Sequence, residues 1–418
     1  MKNINMLLFI LLSISVFSQE KLTLERCYTM VQKNYPLAKK TALLTQQNKL
    51  DLEVLKTEKY PKLDLLVQAT YQSDVPQAPV LLPDSPFEPP NLDQYKSNFS
   101  ISQLIYAGRK INATSEVKLA ELKTQQKQIE VSLYQLKTRV NKLYFSMLFL
   151  QEEHELLMAK KQQLKSQLKE VKSGIKHGII LPASDVILEV EILKIEQQFT
   201  EIYVKKLNII ETLSTLIGSV IETNTNFENP SISTNLSAKI LRPELDLFQL
   251  QIAQIETSEM LLSKKNTPKI IGFATGGFGN PGLNLLENEF TGYYWVGVKL
   301  NWNIFDWNAT KKERKSLLIN KDIVANNTEI FNLNTTIALN QQAAEIHKIG
   351  SFIRSDETII ELRKRILKVS ESQLKNGVIT SSAYITELTN LYEAESNLNT
   401  HKIQLLLAKA NYNITQGN

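Results

Sequence analysis

Leu122, Ile129, Leu136, Leu143, Leu150, Leu157, Leu164 and Val171 fall seven residues apart without a miss. A second line, four residues further on, carries Leu133, Val140, Met147, Leu168 and Ile175, broken only by His154 and Lys161. Neither Pro nor Gly occurs between Gly108 and Gly174. A seven-residue apolar repeat of this extent predicts one helix that supercoils left-handedly against its neighbours. At ~1.5 Å per residue, roughly 65 residues would make a rod of about 100 Å.

The segments around this helix change period. From Leu22 to Tyr60 the pattern is helical, interrupted at Asn34-Tyr35-Pro36 and stopped by Pro61. Over Lys62 to Gln72 the apolar Leu63, Leu65, Val67, Ala69 and Tyr71 alternate with polar neighbours, only Leu66 breaking the polar side. This is the signature of a strand with one apolar and one polar face. A proline-rich loop over 74–94 leads to a second strand, Tyr95 to Tyr106, with Phe99, Ile101 and Ile105 on one side. The long helix follows, then a turn around Gly178 and Pro182, and a returning helix that ends at Gly218.

The second half repeats this plan. Arg242 to Lys265 reads as helix, Ile270 to Gly279 and Tyr293 to Phe305 as a strand pair, and Lys311 to Asn376 as another long helix. Leu339, Ile346, Ile353, Ile360, Leu367 and Leu374 supply its heptad line, and a helix returns from Gly377 to Gly417. Gly178 and Gly377, Gly218 and Gly417, and Ile105 and Ile304 are each 199 positions apart. One offset from strand to final helix marks an internal duplication, with a first repeat over 19–230 and a second over 231–418.

Composition narrows the class. The net charge of +5 is spread over alternating Lys and Glu, as on solvated coiled-coil flanks, and gives no stripe for nucleic acid. Lys2, the apolar run Met6–Ile14 and Val16-Phe17-Ser18 read as a secretory signal over 1–18. No later run approaches ~18 consecutive apolar residues, so no membrane-spanning helix is expected. Cys27 is the only cysteine and reads as a buried, inert thiol. His154, His177, His347 and His401 lack ligand spacing, Gly276-Gly277-Phe278-Gly279 is not followed by a phosphate-loop Lys-Ser/Thr, and no nucleophile sits beside a base. The sequence therefore predicts no metal, no cofactor and no catalysis.

Four strands of about ten residues have the length needed to cross a bilayer as β-structure, ~9–11 residues. Four cannot close a barrel, and a bilayer forbids unpaired edges, so several chains must complete one barrel. Tyr71, Tyr95, Tyr293, Tyr294, Trp295 and Trp302 suit an aromatic belt at the two membrane interfaces. A soluble β-sandwich would show the same alternation, but here every strand runs directly into a helix of unusual length.

Leu22-Thr23-Leu24-Glu25, Asn34-Tyr35-Pro36, Pro61-Lys62-Leu63, Arg242-Pro243-Glu244-Leu245 and the two Gly-centred hairpins, in this order, resemble the TolC-type outer membrane efflux proteins. The resemblance covers the whole mature chain. It implies a mostly α fold with a transmembrane β portion: a trimer whose four strands per chain form a twelve-stranded barrel, continuous with a twelve-helix periplasmic tunnel. It also implies an exit duct for a tripartite efflux or type I secretion system, in the outer membrane of a Gram-negative-type cell. Its partners would be a periplasmic adaptor, an inner-membrane transporter reached through that adaptor, and outer membrane lipid. The alternative reading is a secreted coiled-coil scaffold or adhesin without a pore.

Two groups of residues are candidates at the far, periplasmic end. Gly178, Ile179, Pro182, Gly377 and Val378 either reverse the chain and nothing more, or also meet the adaptor. Asp185 either favours the first turn of the return helix or lines the pore with Glu189, one turn later on the same face. The acidic ring that the family carries near the second turn has no counterpart, since Ala383 and Thr386 occupy the matching places. The pore constriction is therefore expected at Asp185 and Glu189.

Overall fold

The computed structural model describes residues 21–76, 89–236 and 239–418, so the expected signal segment and most of the loop 74–94 lie outside the described residues. Helix α1 (Leu24–Asn34) is capped by the Thr23 hydroxyl, which accepts from the Arg26 N–H at 3.2 Å. Tyr35 is extended, as a residue preceding proline tends to be, and Pro36 opens helix α2 (Pro36–Thr57). Strands β1 (Lys62–Tyr71) and β2 (Asp93–Tyr106) come next, followed by helices α3 (Lys110–Lys176), α4 (Ser184–Ile217) and α5 (Pro243–Leu262). Strands β3 (Lys269–Asn280) and β4 (Thr291–Asn301) and helices α6 (Ala309–Lys375) and α7 (Ser381–Gln416) complete the chain.

The repeat survives in detail. Helices α3 and α6 are each 67 residues long, and both their ends keep the offset of 199. Each is entered through two consecutive left-handed residues, Gly108-Arg109 (φ 58° and 60°) and Trp307-Asn308 (φ 53° and 60°). Left-handed geometry costs an ordinary residue roughly 1–2 kcal/mol. At α6 the Asp306 carboxylate offsets that cost, accepting from the Thr310 N–H at 3.0 Å and from the Asn266 side chain at 2.8 Å. The hydrogen bonds from Thr310, then that from Asn266, hold its carboxyl well below the usual carboxylate range.

Two compact units cut across the repeats. Among the described residues, one comprises those up to 39, in 130–243 and in 332–418; the other comprises those in 40–129 and 244–331. The first unit is helical and holds two apolar cores. One gathers Cys27, Val31, Tyr144, Met147, Leu213 and Ile217; the other gathers Leu157, Leu164, Val171, Leu188, Leu374 and Tyr384. The Tyr144 hydroxyl, shared between the carbonyls of Leu22 and Glu228 at 2.7 Å, ties the entry of α1 to this unit. The expected heptad line of α3 is buried from Leu150 to Val171, and that of α6 from Ile360 to Leu374.

The second unit contains one antiparallel sheet in the order β1-β2-β3-β4. Strands β2 and β3, one from each repeat, pair in its centre and leave β1 and β4 as edges. Strand β4 ends at Asn301, short of the expected Phe305. Asn301 pairs with Lys269, and the next partner would be Pro268, which has no N–H to give to the ladder. Trp302 instead donates its indole N–H to the Asn266 carbonyl at 3.0 Å.

Candidate functional site

The sheet presents two chemically distinct faces. Its register brings Leu63, Ile101, Ala274 and Val296 into one row and Leu65, Phe99, Gly276 and Tyr294 into the next. Paired residues share a face, so these rows extend an apolar surface across all four strands. The surface is uncovered: Val67 is 72 %, Val298 69 % and Tyr294 79 % exposed. The intervening rows carry Asp64, Ser100, Thr275 and Trp295, and Leu66, Asn98, Gly277 and Tyr293.

The two-residue period divides the expected aromatic belt. Tyr71, Tyr95 and Tyr294 lie on the apolar face at the loop end of the sheet, and Trp302 lies just beyond its other end. Tyr293 and Trp295 do not belong with them. They are on the polar face, stacked with centroids 5.7 Å apart, and the Tyr293 hydroxyl donates to Asn98 Oδ1 at 2.8 Å. Residue type alone suggested the belt; pleat parity, readable from the same sequence, separates its members.

The two hairpin turns lie together in the helical unit. Gly178 and Gly377 are left-handed (φ 72° and 70°). In each turn the following N–H reaches back five residues, Ile179 to the Gly174 carbonyl at 2.9 Å and Val378 to the Gln373 carbonyl at 2.8 Å. This is the Schellman arrangement, and a Cβ on Gly377 would stand 2.7 Å from the Ile179 carbonyl oxygen. Ile179, Leu181, Pro182 and Val378 are exposed. The tip is therefore small, apolar and uncovered.

The turns differ where the return helices start. In the second, the Thr380 hydroxyl caps α7 by accepting from the Ala383 N–H at 3.3 Å. The residue at the same offset in the first is Leu181, whose side chain has no acceptor to cap a helix. The α4 helix therefore starts later, behind a left-handed Ala183 (φ 69°) with no side-chain cap.

Asp185 and Glu189 are both half-buried on α4. Asp185 Oδ1 accepts from the Val186 N–H at 3.0 Å, and Glu189 pairs with Lys172 of α3 at 2.7 Å. The hydrogen bond and charge of Glu189 hold the Lys172 ammonium above its ordinary range. The two carboxylates thus differ: one turns onto its own helix end and one is matched by a lysine. The equivalent positions 199 residues on, Tyr384 and Leu388, are buried in the core.

A polar layer inside the helical unit escapes sequence reading. Lys160 is buried, 3.1 Å from Glu191 of α4 and 3.5 Å from Thr389 of α7, with its ammonium 4.7 Å from the centroid of the Tyr392 ring. The Tyr392 hydroxyl and the Ser396 hydroxyl in turn donate to Glu153. Nothing in the sequence distinguishes Lys160 and Glu191 from the flank charges around them. Among the described residues no three His, Cys, Asp or Glu side chains form a metal-binding group, and no helix is long and apolar enough to cross a membrane.

No protein-family model and no curated protein matches the sequence. Solved structures do match the fold. The outer membrane protein VceC of Vibrio cholerae superposes with a TM-score of 0.65 at 12 % identity, over 94 % of this chain and 96 % of that one. The Campylobacter jejuni outer membrane channel CmeC gives a TM-score of 0.65 at 14 % identity, over 94 % and 85 %. The open state of the Neisseria gonorrhoeae outer membrane channel MtrE gives 0.64 at 14 % identity, over 94 % and 89 %. With its duplicated helix–strand–strand–helix–helix plan and four-stranded sheet, the chain has the fold of the TolC-type outer membrane channels.

Proposed function

We propose that the protein is the outer membrane exit duct of a tripartite efflux or type I secretion system, conducting substrates passively to the outside. The observation that carries this reading is the sheet: two unpaired edges, one continuous uncovered apolar face and one polar face. In a bilayer, open edges and lipid-facing polar backbone are forbidden, whereas a closed barrel places its apolar face toward lipid and its polar face toward a lumen. Three copies would give twelve strands. Tyr71, Tyr95, Tyr294 and Trp302 then fit the interfacial belt.

The helical unit fits the periplasmic part of such a duct. Gly178, Ile179, Pro182, Gly377 and Val378, on small apolar turns, would meet the periplasmic adaptor and through it the inner-membrane pump. Asp185 and Glu189 are the candidate constriction, with Asp185 contributing the less balanced charge because Lys172 faces Glu189. Membrane fractionation and reconstitution test the reading. The protein should sediment with the outer membrane and conduct ions in planar bilayers; a soluble product without membrane association would overturn it.

A further inference from the structure

The polar face of the sheet carries an uneven charge. The register places Lys62, Lys96, Lys269 and Lys299 on it against one acid, Asp64. Three of the lysines gather at the end nearest the helices: Lys62 and Lys269 are the first residues of β1 and β3, and Lys299 lies two residues before the end of β4. Lys110, the first residue of α3, joins Lys62 and Lys269 in lining one cavity of about 380 Å³, with Glu58 as its acidic wall.

Several lysines of the neighbouring helices are paired, whereas Lys311, Lys312 and Lys315 of α6 are unpaired among the described residues, as these four are; what sets the four apart is their place on the polar face and its cavity. In the same unit Lys118 pairs with Asp51, Lys265 with Glu313 and Lys321 with Glu256. Lys62, Lys110, Lys269 and Lys299 are exposed, and none has a salt bridge or side-chain hydrogen-bond partner among the described residues. Membrane anchoring does not account for the three on the sheet, because pleat parity puts Lys62, Lys269 and Lys299 opposite Leu63, Leu65, Val298 and Leu300. An excess of positive charge in a walled cleft, here three lysines against Glu58, focuses the field and raises the local concentration of anions. Screening acts over ~8 Å at physiological salt, so Lys269 and Lys299, two positions apart on adjacent strands, reinforce one another directly, and Lys62 and Lys110 join Lys269 across the cavity that they share.

We propose that the helix-proximal rim of the polar face is an anion-selective collar, in which Lys62, Lys110, Lys269 and Lys299 attract small solutes bearing phosphate or carboxylate groups. The inference rests on the duct reading, since the polar face must line a lumen, and symmetry would repeat the set in each copy. Cargo with such groups is favoured through the barrel, and polycations are disfavoured. The collar and the tip then carry opposite charge, with the tip acids partly matched by Lys172.

The test uses the full-length protein in planar bilayers under a KCl gradient, with inorganic pyrophosphate as the probe. The wild-type chloride-to-potassium permeability ratio is the reference, and pyrophosphate should block its current. Replacing the set together (Lys62→Gln, Lys110→Gln, Lys269→Gln and Lys299→Gln) should lower the chloride-to-potassium permeability ratio about threefold or more and weaken the block. Lys118→Gln, at a paired helix lysine, should leave both unchanged. The single variants Lys62→Gln and Lys299→Gln should give the same shift in smaller steps, covering a failure of the fourfold variant to assemble. Conducting channels whose selectivity and block ignore these changes would overturn the collar while leaving the duct intact. Protein that assembles no conducting channel would overturn both.

Discussion

The helical unit and the sheet unit treat apolar side chains in opposite ways. In the first, Leu157, Leu164 and Val171 of α3 are at most 1 % exposed, covered by α4, α6 and α7 of the same chain. In the second, Val67, Val296 and Val298 of the sheet are each more than two-thirds exposed, and two strands have no outer neighbour. Helices satisfy their own backbone and need only a packed stripe, whereas a sheet needs partners for its edges and its apolar face. The stripe through Leu157, Leu164 and Val171 is closed within the chain, whereas the sheet, like Leu193, Val204 and Val369 on other helix faces, is left uncovered.

The largest expected effects come from exchanging the two environments. Leu164→Ala, in the closed core, should cost about 2–5 kcal/mol by denaturant titration. Val298→Ala, on the uncovered face, should cost far less in that titration. Val298→Arg should reverse the ranking on membrane assembly, at about 2–4 kcal/mol for a cation facing lipid. Equal, small effects of Val298→Arg and Val298→Ala on outer membrane yield would break the comparison.

The hairpin tips sharpen it within the helical unit. Thr380→Ala removes the cap of α7 and should destabilise by about 1 kcal/mol. Ala183→Gly removes a left-handed alanine at the start of α4 and should act in the other direction, by about 1 kcal/mol. Thermal unfolding of both variants should move Tm in opposite senses; the same sense would mean that the tips are held by their packing and not by their caps.

Much of this was legible in the sequence, and the exceptions have physical causes. Heptads, prolines and the offset of 199 located all the long elements, because supercoiled helices and alternating strands are governed by local periodicity. The end of β4 was not legible from its own residues, since Trp302 and Ile304 continue the alternation. What stops the strand is the missing N–H of Pro268 on its partner. Tyr293 and Trp295 share the residue type of the expected belt, but pleat parity puts them on the face opposite Tyr294. The Lys160–Glu191 pair lies on helix faces that look solvated until α7 closes over them.

The smallest effect concerns Cys27. Burial pushes its thiol up to about 12 from an ordinary 9.0. A group whose pKa rises on folding contributes fully below its unfolded value, and the contribution is lost as pH climbs from about 9 toward 12. Stability should therefore be insensitive to this thiol at neutral pH and decline in that alkaline window. Cys27→Ser should remove the part that begins near pH 9 while leaving the part due to the hydroxyls of Tyr28, Tyr144 and Tyr384, which burial also pushes up. Maleimide should label Cys27 only after denaturation; rapid labelling of the native protein would contradict the closed core around α1.

On the duct reading, the sheet is completed only by other copies of the chain. Light scattering on detergent-solubilised protein, corrected for bound detergent, measures this directly. A single species with three times the mass of the chain is expected. A monodisperse monomer in mild detergent would contradict it.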